Sequence, residues 1–422
     1  MVSSLLSFAS VMQSIGSVLL AVLILLAMVT VHEFGHYVAG KILHFKITEF
    51  SVGFGPAIFK RRSKKTGEIF ALRVIPLGGY CAFDGEEDHG DKEEKEEAVE
   101  KTEAETAGEP FTEMQPQETE KEGGMVEVNE KPEEEYPEPQ GEQFNDQAPW
   151  KRIIVLIAGA TMNYLFAMIL LLIMAACYGV PKCLMMPIEY KNDMTMDVPY
   201  AEWEDESLSQ RDVLLRMDGE KISMVTDIVD ILKEKKAGDT MSALVLRHKD
   251  GDWLEKTVTV HVYADGVFED MGDADAIMTG IASCLGYDVY TTTLQSGFWD
   301  TLGGAFAYSY DMATAVLKTL GQLLTGQLGL DAVGGPVTTI SAISEAAVSG
   351  FGFLYIASFI GVNLAVFNLL PIPALDGCKV IFCLIEWIRK KPVNRRIETI
   401  IHFIGIILLF GFAILVDILQ LF

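Results

Sequence analysis

Four long apolar runs constrain this chain more than any other feature. They extend from Ile15 to about Val38, Ile153 to about Val180, Leu354 to about Leu370 and Ile397 to about Leu421. Each approaches the ~20 residues that a membrane-spanning helix needs. Each carries few charges, and buried helices of soluble proteins are rarely this long and this apolar. The pattern predicts a polytopic α-helical membrane protein with four transmembrane helices in a lipid bilayer.

Composition looks contradictory until the charge is located. Half of the 422 residues are hydrophobic and the mean hydropathy is +0.27, yet the net charge is -26. The stretch from Asp84 to Asp146 holds 25 acidic and 5 basic residues, so -20 of the total lies there and -6 elsewhere. It is rich in Glu, Pro, Gly, Gln and Thr and nearly free of branched apolar side chains. Such text cannot bury enough surface to offset its ordering entropy. We read 84–147 as a disordered acidic insert acting as a solvated spacer. The acidity also argues against nucleic acid as a partner, because phosphate binding needs clustered Lys and Arg.

Basic residues set the orientation. Lys60, Arg61, Arg62, Lys64 and Lys65 follow the first run, and Lys151 and Arg152 abut the second. Arg389, Lys390, Lys391, Arg395 and Arg396 separate the third from the fourth. By the positive-inside rule both loops are cytoplasmic. Both termini and the long loop between the second and third runs then lie outside. The first run lacks the basic start and small-residue cleavage site of a signal peptide and is expected to stay attached.

The first run closes on Val31-His32-Glu33-Phe34-Gly35-His36. On a helix, the i, i+4 spacing puts His32 and His36 on one face, able to share one Zn2+. Glu33 is placed to take a proton from an attacking water. Three ionisable groups at the end of an apolar helix are expensive in lipid unless they line a polar site. A catalytic zinc needs a third protein ligand. His89 falls in the acidic insert, His248 and His261 in the outer loop, and His44 and His402 stand alone. The better candidate is Asp376, in Asn368-Leu369-Leu370-Pro371-Ile372-Pro373-Ala374-Leu375-Asp376-Gly377. It lies at the cytoplasmic end of the third run, on the membrane side of His32 and His36. Pro371 and Pro373 must break that helix. Non-helical backbone at membrane depth is tolerated only where it lines a cavity. Extended backbone is also what a protease uses to hold a peptide as an added strand.

HEFGH in a first span, paired with N-x-x-P-x-P-x-L-D-G in a later one, resembles the site-2 protease family of intramembrane zinc metalloproteases, in its bacterial RseP-type branch with one PDZ domain. Residues 50–56 and 75–80 are similar to that family's cytoplasmic β-hairpin region. Gly334-Gly335-Pro336-Val337 and 317–327 also resemble it. The likeness covers nearly everything outside the acidic insert. It implies that His32, His36 and Asp376 are the zinc ligands and Glu33 the general base. It further implies that Asn368, Pro371, Pro373 and Asn163 bear on substrate binding. This chain departs from the family at Ala160, which follows Gly159 where Pro is usual, and at Cys378, which replaces a Gly. Cys378 beside Asp376 could offer sulfur to a metal, though a bystander thiol is the expectation.

The outer loop reads as a small α+β domain. Arg211–Ile222 is a hairpin around an Asp-Gly turn, Thr226–Lys235 an amphipathic helix, and 243–246 and 257–260 paired strands. The order resembles an extracytoplasmic PDZ-like domain, which could bind a peptide ligand or act as a steric filter. Thr301 to Leu324 is expected to be an amphipathic helix on the outer face. Cys177 and Cys183 could pair if the outer compartment is oxidising, but isolated thiols are the expectation. The resulting organisation is 1–40, first transmembrane helix; 41–83, cytoplasmic membrane-associated hairpin; 84–147, insert; 148–180, second transmembrane helix; 181–266, PDZ-like domain; 267–350, linker and amphipathic helix; and 351–422, third and fourth transmembrane helices. The implied activity is cleavage of transmembrane segments of single-span proteins, such as anti-sigma factors or remnant signal peptides, in a bacterial cell membrane. The competing reading is a non-catalytic PDZ scaffold on a four-helix anchor. A transporter would want matching broken helices in two halves, and only one break is visible.

Overall fold

A computed structural model of the chain describes residues 2–86, 136–187, 212–249, 252–268, 274–295, 297–329 and 333–419. All four apolar runs are helices long enough to cross a membrane: Ile15–Ile42, Pro149–Cys177, Gly350–Leu369 and Arg395–Leu419. We number the first helix α1 (Val2–Ile42) and the second α2 (Pro149–Cys177). Proline at the start of α2 costs nothing, because a first-turn N–H has no helical partner anyway. The third span opens on Ser349, whose hydroxyl accepts the Gly352 N–H at 2.9 Å.

Between α1 and α2 lie β1 (Ile47–Arg62) and β2 (Ile69–Phe83), an antiparallel pair that folds back on itself. Ser51 pairs with both Tyr80 and Ala71, while Phe59 pairs with Leu72. The two long strands thus make a four-segment sheet. The fold-back needs Gly53, whose φ is +87° and whose missing side chain would strike the Ile75 carbonyl. The Arg73 guanidinium ties the sheet together, donating to Ser51 Oγ at 2.8 Å, the Gly55 carbonyl at 2.7 Å and Glu49 Oε1 at 2.6 Å.

Part of the expected insert is packed. Phe144 is buried against Phe45 and Phe83, with ring centroids 5.5 and 5.6 Å away. The Glu142 N–H donates to the His44 carbonyl at 3.0 Å, and the Lys46 N–H donates to the Glu142 carbonyl at 2.9 Å. At its other edge Lys379 reaches Glu86 at 2.8 Å. Residues 84–86 and 136–147 therefore belong to the folded body, which corrects the expected 84–147 boundary. One aromatic anchor and a few main-chain bonds suffice to dock a polar segment, and composition does not reveal them. Residues 87–135 lie outside the described residues.

Beyond α2 comes a six-stranded sheet: β3 (Val180–Pro187), β4 (Asp212–Met217), β5 (Glu220–Lys221), β6 (Thr240–Lys249), β7 (Asp252–His261) and β8 (Tyr287–Leu294). The order is β7-β6-β4-β3-β8, with β5 on β4, and each pair is antiparallel. Two helices complete it: α3 (Val225–Leu232) and α4 (Ala274–Leu285). The expected Asp218-Gly219 hairpin and the pairing of Ala243 with Val258 are both present. Ile281, Leu285 and Val289 share one core with Leu214, Ile228 and Val245. The unit therefore ends at Leu294 rather than 266, because α4 covers the sheet and β8 pairs along the whole of β3. Buried Asp212 anchors the sheet, receiving Arg247 Nε at 2.9 Å and Nη2 at 2.7 Å.

Next is α5 (Phe298–Leu324), the expected amphipathic helix. Its Ala305, Tyr308 and Met312 bury against Leu171, Met174 and Val180. Then come α6 (Pro336–Ala346), α7 (Gly350–Leu369), α8 (Asp376–Arg389) and α9 (Arg395–Leu419). Cys177 is exposed and Cys183 buried, and both are free. Burial pushes the Cys183 thiol up to about 12, which leaves it unreactive.

Phe144→Ala is expected to lower stability by about 3 kcal/mol, read as a drop in thermal midpoint of the detergent-solubilised chain. An unchanged midpoint would show that 136–147 does not dock in solution.

Candidate metal centre

Two apolar helices cannot place polar rings face to face unless their backbones come close. On α1, a Cβ at Gly35 would overlap the Ala158 carbonyl of α2. On α2, a Cβ at Gly159 would land on the His32 and His36 rings. The paired glycines let α1 lie directly on α2, with both imidazoles filling the space a side chain would take.

The third donor arrives from α8. His32 Nε2 lies 2.9 Å from Asp376 Oδ2 and 3.1 Å from His36 Nε2, and His36 Nε2 lies 3.3 Å from the same carboxylate oxygen. A four-coordinate zinc with bonds of roughly 2.0–2.1 Å has ligand–ligand edges of roughly 3.3 Å. The three separations therefore suit one small cation. Among the described residues this is the one His, Cys, Asp and Glu grouping close enough to hold a metal. Both histidines are buried.

Hydrogen bonds fix how the rings present themselves. The His36 Nδ1–H donates to the Val155 carbonyl at 2.8 Å, which leaves the Nε2 lone pair pointing into the cluster. His32 Nδ1 has two carboxamides within 3.4 Å, those of Asn163 and Asn368. Asn163 is fully buried, and its Oδ1 has no partner among the described residues. With its amide turned over, that oxygen would accept from His32 Nδ1–H and free Nε2 for a metal. Both asparagines thus reach a histidine, a contact the sequence did not anticipate. Pro371 is exposed, and Pro373 packs on Gly405 of α9.

Glu33 follows His32 and lies against the hairpin. The Cys81 main-chain N–H faces its carboxylate, and a side chain at Gly79 would crowd it. β2 thus forms the wall on which Glu33 rests. Helix α7 ends at Leu369, and Asp376 opens α8, so the segment between them is non-helical, as its two prolines require. Burial raises the Cys378 thiol, and its sulfur lies outside the donor group. Among the remaining histidines, His44 bonds its own helix end, His248 packs at a tilt against Trp253, and His402 bonds the Asp376 loop. His89 lies outside the described residues. Val155, Gly159 and Gly35 were not singled out from sequence. Small residues inside an apolar span are the one visible sign of the two glycines, and Val155 shows none because it acts through its main-chain carbonyl.

The chain matches the description of peptidase family M50 over residues 20–412. The chain belongs to peptidase family M50. As an M50 member it is a metalloprotease, and the resemblance read from its motifs is borne out. Among similar proteins is the regulator of sigma-W protease RasP of Bacillus subtilis (strain 168), 30% identical across 97% of this chain and 99% of the relative. The zinc metalloproteases RasP of Bacillus licheniformis and Oceanobacillus iheyensis are each 27% identical, across 96% and 94% of this chain and 100% and 97% of theirs.

Gly159→Ala is expected to displace both imidazoles and reduce bound metal at least roughly tenfold, measured by elemental analysis of purified protein. Metal content equal to wild type would show that the close helix approach does not set the site.

Proposed function

We propose that this chain is a zinc-dependent intramembrane endopeptidase that cleaves transmembrane segments of single-span membrane proteins. The observation that carries the reading is the convergence of His32 and His36 from α1 and Asp376 from the start of α8 onto one point, with Glu33 next to His32 on α1. When bound there, zinc polarises the scissile carbonyl and lowers the pKa of water toward ~7.

The chain's own groups account for the rest. His32, His36 and Asp376 hold the ion. Val155, Asn163 and Asn368 orient the two rings. Glu33 takes the proton of the attacking water as its oxygen bonds to the carbonyl carbon, then passes that proton to the amine nitrogen as the C–N bond breaks. β2 walls Glu33 in at Gly79, where an added Cβ would lie 3.3 Å from the Glu33 side chain. A substrate helix has all its carbonyls paired and must unwind locally before one can be attacked. The non-helical stretch around Pro371 and Pro373 offers an extended peptide main-chain carbonyls only, because the N–H groups of Leu370, Ile372, Ala374 and Leu375 are already bonded and the two prolines have none.

The basic loops favour an orientation with both termini and the six-stranded unit outside the cell and the metal site near the cytoplasmic side. The sheet with its two helices is read as the PDZ-like module, binding a peptide end or excluding bulky ectodomains. Anti-sigma factors fit the substrate class, and the sigma-W role in the name of the Bacillus subtilis relative supports that choice. Remnant signal peptides are the other candidates.

Glu33→Gln is expected to slow cleavage of a truncated single-span substrate by roughly 10²–10⁴-fold while zinc stays bound. Undiminished cleavage would contradict the mechanism, and no cleavage by wild type on any substrate would favour a scaffold. Asp376→Ala is expected to lose most of its zinc by elemental analysis. Zinc equal to wild type would remove Asp376 from the ligand set.

A further inference from the structure

His402 lies on α9, away from the donor cluster, yet it touches the loop that carries Asp376. Two residues of α9 one turn apart meet this loop. At Gly405 the helix backbone approaches Pro373 so closely that a Cβ would overlap it. At His402, Nδ1 accepts the Ala374 main-chain N–H at 3.0 Å.

The contacted residues form a specific turn. The Leu375 N–H donates to the Ile372 carbonyl at 3.1 Å, closing four residues with Pro373 second and Ala374 third. Ala374 has φ +81°. Proline second and a positive φ third is the type II pattern, whose third position favours glycine. Here an alanine occupies it, so the surroundings must hold the conformation. The turn's own bond leaves the Ala374 N–H without a partner, and His402 supplies one. Nε2 of the same ring has no hydrogen-bond partner among the described residues, so the ring is held by the bond to Ala374 and by edge-on packing against Phe382, centroids 5.9 Å apart. Asp376 follows two residues later, at the start of α8.

We propose that His402 is a positioning residue of the metal site. Its imidazole, with Nδ1 unprotonated, locks the Pro373-Ala374 turn and so sets the Asp376 carboxylate against His32 and His36. Span four thereby contributes to the site without supplying a ligand. The proposal rests on the zinc-peptidase reading given above.

The test uses the full-length chain, stripped of metal and loaded with Co2+, whose ligand-field absorption reports the coordinating groups. His402→Phe keeps an aromatic ring and removes the acceptor. His402→Asn places Oδ1 near the lost Nδ1. His402→Phe is expected to weaken Co2+ binding at least roughly tenfold and to alter the absorption, with cleavage falling in parallel. His402→Asn is expected to restore the wild-type spectrum. A wild-type spectrum and affinity in His402→Phe, or equal damage in both variants, would overturn the proposal. Should His402→Phe fail to accumulate, His402→Asn decides alone, and an altered spectrum there would overturn it. A wild-type chain that neither binds metal nor cleaves would instead overturn the peptidase reading on which this one depends.

Discussion

Two imidazoles and a carboxylate within the apolar half of a helix bundle are the constraint around which the rest of this protein is arranged. Each would be costly alone at that depth, and together they satisfy one another. The contacts at 2.9, 3.1 and 3.3 Å join α1 to the start of α8, while α2 lies against both imidazoles at Gly159. Gly35 and Gly159 permit the first approach, between α1 and α2. The second needs a break in the third span, because a helix continuing past Leu369 could not turn a carboxylate back toward α1. Pro371 and Pro373 supply that break, and α9 covers it with Gly405 and His402.

The arrangement separates holding from doing. Val155, Asn163 and Asn368 hold rings, β2 backs Glu33 at Gly79, and His402 holds a turn. Rigid neighbours on α2, α7, β2 and α9 therefore fix groups that would otherwise sample several rotamers. The six-stranded unit joins the same bundle at its other end, where β3 continues from α2 and α5 packs on Leu171 and Met174. Any partner bound by that unit would act on the bundle through α5 and β3.

Much of this was legible in the sequence. Spans announce themselves because lipid forces apolar side chains outward and leaves no room for charge. The HEFGH spacing pairs His32 with His36 because helix geometry fixes which residues share a face, whereas Asp376 stood out as an ionisable group at the end of the third run and through family likeness. The docking of 136–147 was hidden, since one Phe in a polar segment carries no periodicity. The extent of the six-stranded unit was hidden as well, because β8 pairs with β3 across more than a hundred residues of chain. His402 read as a lone histidine because its partner is a main-chain N–H, and a sequence does not show which N–H groups lack partners. Asn163 and Asn368 stood out only through family likeness, which suggested substrate rather than a ring nitrogen.

The central claim is that His32, His36 and Asp376 together hold one zinc. X-ray absorption at the zinc edge of the purified chain tests it most directly. The account predicts one zinc with a shell of only nitrogen and oxygen donors at roughly 2.0–2.2 Å, including two imidazoles. A sulfur donor at roughly 2.3 Å, from Cys378 or Cys81, or a site with fewer than two imidazoles, would contradict it.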